Sequence, residues 1–212
     1  AHESRKETPR PHLGCSVLGH HCDRWLWLSF RWAVLEKFKG RMLRLFRRGN
    51  LEEDSFIADL RGAGIDVDGS QSRVDFGGHI SGSLDGIIHG GIPGAEKTKH
   101  VAEFKTHASV EKSHYNHFIQ MQTYMLGMKI DRALYVAVCK DDDQLYTERV
   151  KLNKKVAQAA VDRGKRIALS DRMPEPCTGA SPSWYLCKFC AGYSFCHEQE
   201  PTKEANCRTC AH

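Results

Sequence analysis

The chain has 212 residues, 41% of them hydrophobic and 27% charged, a composition that excludes an intrinsically disordered or membrane-embedded protein. Its formal net charge of +5 and pI of about 8.7 suit a polyanionic partner without requiring one. Nine cysteines, with no secretory signal or spanning stretch, read as metal ligands rather than a disulfide framework, and a cytoplasmic location is expected.

Residues 1–14 are polar, contain Pro9 and Pro11, and are expected to be loose. A helix is predicted from Ser16 or Cys22 towards Arg48, with a break at Gly40. Its stripe Cys22, Leu26, Phe30, Val34, Phe38, Met42, Leu45 repeats at i, i+4 and is assigned to a buried face. Roughly 100° round the helix runs a second stripe, Lys37, Arg41, Arg44, Arg48. It reads either as a solvated face or as a track for nucleic-acid phosphates. Trp25, Trp27 and Trp32 are assigned to the core rather than to base stacking. After Gly49, Asn50 is predicted to cap a second helix with Glu52, Glu53 and Asp54 in its first turn. Capping explains Glu52 and Asp54. Glu53 instead sits three and four residues before Phe56 and Ile57, on the inward side.

Short strands are predicted over 65–67 and 73–76, with Asp66, Asp68 and Asp75 at turns and edges. The pieces Gly82-Ser83-Leu84-Asp85-Gly86-Ile87-Ile88 and His100-Val101-Ala102-Glu103-Phe104-Lys105-Thr106 flank the turn residues 90–94, so they read as a hairpin. Alternation puts Glu103 and Lys105 on one face and Phe104 on the other, and pairing carries Asp85 to the same end. Glu-x-Lys on a strand is ordinarily a solvated face, but here the strand around it is apolar. Two carboxylates make a hard oxygen site that suits Mg²⁺ or Mn²⁺, and a lysine beside them can hold a water or neutralise a phosphate. His107, His114 and His117 are read as surface or capping residues. A helix over 113–128 puts Gln120 and Tyr124 one turn apart on one face. Strands over 133–139 and 144–150 flank an Asp141–Asp143 turn, and a helix over 153–169 is expected on the sheet edge.

After Pro174 and Pro176 the composition changes, which sets the expected organisation as 1–14, a core over 15–176, and a cysteine-rich segment over 177–212. Cys187, Cys190 and Cys196 form a C-x₂-C-x₅-C array. Two metal readings are open: an iron–sulfur cluster completed by an upstream cysteine, or a zinc site in which Cys187 and Cys190 join Cys207 and Cys210. Cys139 and Cys177 are read as ordinary thiols.

The sequence Gly82-x-x-Asp85-x-Ile87, then Glu103-x-Lys105, then Gln120-x-x-x-Tyr124 resembles the PD-(D/E)XK nuclease superfamily in its RecB-like exonuclease branch, over most of the chain. The resemblance implies an α/β, restriction-endonuclease-like fold: a small mixed sheet flanked by helices. It implies Mg²⁺- or Mn²⁺-dependent hydrolysis of DNA, with Asp85, Glu103 and the Phe104 carbonyl holding metal. Gly49-x-x-x-Glu53 is similar to lambda-exonuclease-like relatives and makes Glu53 a third metal ligand. Many RecB-like enzymes have His there, so the chain departs from them at this point. Lys105 would position the attacking water, while Gln120 and Tyr124 border the pocket; Lys37, Arg41, Arg44 and Arg48 would then track DNA. In relatives of the AddB and CRISPR-adaptation types one cysteine precedes the core and three follow it. That implies a [4Fe–4S] cluster on Cys22, Cys187, Cys190 and Cys196 (with Zn²⁺ as the alternative, and Cys15 as a weaker upstream candidate). A second zinc on His197, Cys207, Cys210 and His212 would account for the tail. The expected substrate is DNA ends or single strands. A site-specific endonuclease and a catalytically silent DNA-binding module are the rivals. The stretch 19–27 resembles phage-borne members, which implies recombination or replication partners in a host cytoplasm.

Overall fold

The computed structural model describes residues 10–35, 38–69, 72–107, 109, 113–202 and 206–208. A two-residue strand β1 (Leu13–Gly14) and a 3-10 turn (Cys15–Val17) lead into helices α1 (Asp23–Phe30) and α2 (Gly40–Gly62). Strands β2 (Asp66–Asp68), β3 (Arg73–Gly77), β4 (Ile80–Ser83), β5 (Gly86–Gly90) and β6 (His100–His107) follow. Helix α3 (Tyr115–Met128) connects to β7 (Arg132–Cys139) and β8 (Leu145–Lys151); α4 (Lys154–Leu169) and the short α5 (Tyr185–Lys188) and α6 (Tyr193–His197) end the order.

The main sheet runs β2-β5-β6-β7-β8, and a small sheet runs β1-β4-β3. β6 and β7 are parallel and the other neighbours in the main sheet are antiparallel. A parallel pair needs a crossover, and α3 is that crossover. Gly86 pairs with Ala102 and Ile87 with Val101, so the expected hairpin forms. Its turn requires Gly91: φ is +90°, and a Cβ there would lie 2.6 Å from the Gly64 carbonyl oxygen.

β7 reads as a nearly continuous apolar run, and residues 100–104 of β6 are all buried, because both faces of the sheet are covered. One set of alternating residues (Ala102, Phe104, Leu134, Val136) packs under Phe56 and Ile57 of α2. Phe56 and Phe104 stack with ring centroids 5.2 Å apart, and burying each such ring contributes roughly 2–3 kcal/mol. The opposite set (Val101, Ala133, Tyr135, Ala137) packs against Met121, Tyr124 and Met125 of α3. This is the α/β architecture expected, with small mixed sheets flanked by helices.

The structure corrects several local readings. The first long helix is two helices, separated at residues 31–39, where Trp32 takes a left-handed φ of 57°. Asn50 caps nothing; it lies inside α2, which runs through Gly49 because its second half docks on the sheet. Phe38 and Met42, assigned to the core, are each 40% exposed. Helix α4 packs against α3 and α1 as well as against β4 of the small sheet, where Gly164 comes close to Ile80 and to Leu18. Among the described residues no helix is long and apolar enough to cross a membrane.

Candidate active site and thiol pocket

Leu84 and Asp85 lie between β4 and β5, at the corner where the chain leaves the small sheet and enters the main one. Because Gly86 pairs with Ala102, Asp85 arrives beside Glu103. Its Oδ2 accepts the Phe104 N–H at 2.9 Å, which fixes the carboxylate on the sheet. Glu103 and Lys105 point to the α3 side. The Lys105 ammonium donates to Glu103 Oε1 and, at 2.9 Å, to the Phe104 carbonyl, and it stands 3.8 Å from Asp85. The Phe104 carbonyl expected to bind metal thus accepts from this lysine.

Glu103 is 0% exposed, and its Oε2 has no hydrogen-bond partner. Burial pushes its carboxyl up to about 8; the Lys105 charge opposes this, while Asp85 and Glu53 reinforce it. Burial also works against the charge of Lys105, but Glu103 and Asp85 outweigh it and hold the ammonium above its ordinary range. Glu53 lies on α2 where that helix crosses the end of β6. Burial raises its carboxyl, and Asp85 raises it further. Glu52, the alternative, pairs instead with Arg48 at 3.7 Å.

Gln120 and Tyr124 are buried on α3, with Gln120 Nε2 3.4 Å from the Tyr124 hydroxyl. Burial raises the Tyr124 phenol, and the Glu103 charge adds to it, so the ring stands within reach of the carboxylates. Tyr124 also explains Gly82: a Cβ there would lie 2.8 Å from the Tyr124 ring and 3.0 Å from Cys15 Cβ. The neighbouring Gln122 has another task, donating to Lys151 O and accepting from Asn153 N to tie α3 to the β8–α4 junction.

Sequence reasoning missed a histidine cluster at this site. The rings of His107, His114 and His117 are mutual neighbours, with centroids 5.2–5.5 Å apart. The Tyr135 hydroxyl lies 3.2 Å from His107 Nε2 and 3.1 Å from His117 Nδ1. Burial, then the Lys105 charge, pushes His117 down to about 3. The signal was available: His107 is two residues beyond Lys105 on β6, and His114 and His117 are one turn apart at the start of α3.

The basic stripe is placed on the first half of α2, where Arg41, Arg44, Arg47 and Arg48 are exposed and line a shallow groove with Leu45 and Leu51. Lys37 lies outside the described residues. The three tryptophans are structural. Trp25 packs on the core, the Trp27 indole N–H donates to Ser170 O, and that of Trp32 donates to Arg10 O.

A second convergence draws on residues far apart in the sequence. Cys22, Cys187, Cys190 and Cys196 line one pocket, and Cys177 lines it as well. Cys22 precedes α1, and its Sγ accepts the Trp25 N–H at 3.4 Å; Cys190 Sγ accepts the Gly192 N–H at 3.4 Å. Burial raises the Cys177 thiol to about 11, and it is hydrogen-bonded to Cys22, so it is not the ordinary loop thiol expected. Nearby, Arg208 ties the chain ends together. Its guanidinium lies over Phe30 and Trp32 and donates to Phe30 O and Pro11 O, each at 2.7 Å. His197 lines the thiol pocket, whereas Cys207 is exposed and does not. Cys210 and His212 lie outside the described residues, so the tail zinc set and the Cys187/Cys190/Cys207/Cys210 set are not assembled among those described.

Among the described residues, no three His, Cys, Asp or Glu side chains are already gathered as metal ligands. The donor chemistry still fits in both places. A fully buried carboxylate with an orphaned oxygen, beside two more carboxylates, is a hard site that a divalent cation would satisfy. Sulfur donors around an apolar pocket suit a softer metal.

No family model matches the chain, and no curated protein matches its sequence. Solved structures do match. SSO0001 is 17% identical with a TM-score of 0.55, covering 92% of this chain and 89% of that one. The alkaline exonuclease LHK-Exo of Laribacter hongkongensis, also solved in complex with dAMP, is 16% identical with a TM-score of 0.52, over 75% of this chain and 87% of that one. A phage-related exonuclease from Haemophilus somnus 129PT is 18% identical with a TM-score of 0.50, over 74% of this chain and 91% of that one. At these identities the likeness establishes a shared fold.

Proposed function

We propose that the chain is a metal-dependent deoxyribonuclease acting on DNA ends or single strands, with its chemistry at the Asp85/Glu103/Lys105 corner. The observation that carries this is Glu103: a fully buried carboxylate with an orphaned oxygen, held beside Asp85, Glu53 and the Lys105 ammonium. Such an arrangement is costly to a fold unless a bound cation completes it. Two structural neighbours are exonucleases, one of them solved in complex with dAMP, and this supports the same reading.

In this reading Asp85, Glu103 and Glu53 hold Mg²⁺ or Mn²⁺, with the Phe104 carbonyl as a further donor. When bound, the cation lowers the pKa of a water and neutralises phosphate charge. Lys105 holds its ammonium where that water would be oriented and negative charge would develop. Asp85 is kept from rotating by the Phe104 N–H. Tyr124 and Gln120 wall the pocket and limit bulk water. The exposed arginines of α2 supply phosphate contacts.

The thiol pocket is the staple of this nuclease. Cys22, Cys187, Cys190 and Cys196 hold a [4Fe–4S] cluster, joining the head of α1 to the cysteine-rich end; zinc on the same thiols is the alternative. Iron analysis and visible absorbance distinguish the two.

End-labelled linear DNA and covalently closed DNA, each incubated with Mg²⁺ or Mn²⁺, test the function. Wild type should shorten linear DNA from its ends and spare closed circles, and Lys105→Ala should leave both DNAs intact. Cutting of closed circles would replace the exonuclease with an endonuclease. Binding without cleavage would make the chain a DNA-binding module.

A further inference from the structure

The first half of α2 is amphipathic, and among the described residues its apolar side chains Met42, Phe46 and Leu51 stay exposed. Its apolar stripe lies on the same side of the helix as the core contacts of the second half. Phe46, Gly49 and Glu53 fall at i, i+3 and i+7, and Met42 is one turn before Phe46. Beyond Glu53 this side docks on the sheet through Phe56 and Ile57. At Gly49 it passes the end of β6, where a Cβ would lie 3.9 Å from Thr106 Oγ1. Before Gly49 it leaves the core. Met42 is 40% exposed and Phe46 45% exposed, and Phe38 packs edge-to-face on Phe46 with ring centroids 4.9 Å apart.

This exposed surface is not left for a purely apolar partner. Arg41 precedes Met42 and Arg47 follows Phe46, so an exposed guanidinium stands about 100° round the helix on either side of the apolar stripe. Aromatic faces flanked by cations are the chemistry of single-stranded nucleic acid, whose bases need a π surface and whose phosphates need charge. A duplex has already stacked its bases and offers only the phosphates. The position also fits. Phe46 and Glu53 are seven residues apart on one side of the helix, which is about 10 Å along the axis.

We propose that Phe38 and Phe46 form a stacking platform for unpaired bases, which feeds a single-stranded DNA end to the carboxylate corner while Arg41 and Arg47 hold its phosphates. This deepens the nuclease reading and rests on it for the identity of the ligand. Exposed aromatic side chains are the ones a protein can lose without unfolding, so the variants test the surface directly.

The test compares wild type, Phe38→Ala/Phe46→Ala and Arg41→Ala/Arg47→Ala, with no divalent metal added so that binding is read without cleavage. The probes are an oligo-dT single strand, a blunt duplex of the same length, and a single strand carrying 2-aminopurine. Removing the two rings should weaken single-strand binding about tenfold, leave the duplex and the salt slope unchanged, and abolish the stacking-induced quench of 2-aminopurine. The arginine variant should weaken both DNAs and flatten the salt slope. Unchanged single-strand affinity in the ring variant, or an equal loss on both DNAs, overturns the proposal. So does a wild-type dimer that the ring variant dissolves while single-strand affinity is kept, because the face would then belong to a second copy. If the ring variant loses single-strand binding but the wild type cuts no DNA with metal, the platform stands and the nuclease reading falls. If the wild type cuts DNA and the ring variant binds normally, the reverse holds.

Discussion

The carboxylate corner and the thiol pocket are assembled by opposite means. At the corner, strand pairing does the work: the Gly86–Ala102 register places Asp85 against Glu103, and alternation along β6 puts Lys105 on the same side. Glu103 is fully buried there, while Asp85 and Lys105 stay partly open to solvent. At the thiol pocket, residues from opposite ends of the chain meet on helices of only four and five residues, with few buried side chains. The first region is held by the fold and strained by its chemistry. The second has few buried side chains on its short helices, and in the proposed reading a bound metal is what holds it. That difference separates catalysis from stability and makes the two roles testable apart.

The largest expected effect is at the corner. Glu103→Gln keeps the shape but removes the charge, and should lower cleavage of linear DNA by about 10³-fold while the thermal melt stays within a few degrees of wild type. In the thiol pocket the balance is reversed. Cys22→Ser should strip the bound metal, seen by metal analysis, and lower Tm by roughly 10 °C, while Cys139→Ser, outside the pocket, should keep it.

The sequence made the corner legible and half hid the pocket, for physical reasons. Strand alternation has a period of two, so Glu103 and Lys105 could be placed on one face, and a Gly-rich turn announced the hairpin that brings in Asp85. The C-x₂-C-x₅-C array was equally visible, since helix or strand periodicity does not produce it. Cys177 was not, because nine residues, most of them irregular chain, separate it from Cys187 and nothing local marks its return. The histidine cluster was missed because His107 and His114 sit on different elements, and only the α3 crossover joins them. The helix boundaries around Gly49 and Asn50 were misread because local capping chemistry favours a break there. Docking of Phe56 and Ile57 carries α2 straight through.

Proton linkage sharpens the contrast further. Burial holds the folded-state pKa of Glu103 at about 8, above the ordinary 4.5. The folded protein therefore binds this proton more tightly than the unfolded chain between those values, and its metal-free stability should fall as pH rises across the window. Lys105, whose pKa is raised, stays charged throughout it. The fall should reach at most about 5 kcal/mol in denaturant melts, and be absent in Glu103→Gln. A pH-independent wild type would mean that Glu103 is already ionised and fully compensated.

Two smaller effects test the walls of the site. Gly82→Ala forces a methyl against the Tyr124 ring and Cys15, and should cost about 1–3 kcal/mol in chemical denaturation. Tyr135→Phe removes the hydroxyl shared by His107 and His117. It should lower kcat only about twofold to threefold if the cluster merely braces the site. A loss beyond about 30-fold would instead assign that cluster a direct part in the reaction.

The most direct measurement is the initial rate of end-labelled linear DNA cleavage for Cys22→Ser and Glu103→Gln side by side, at a temperature well below both melting points and with saturating Mn²⁺. The account predicts that the cysteine variant, though less stable and stripped of its metal, cleaves within a few-fold of wild type, while the glutamine variant is folded and inactive. A folded Cys22→Ser protein that cannot cleave, or a Glu103→Gln protein that still can, would contradict the division of roles between the two regions.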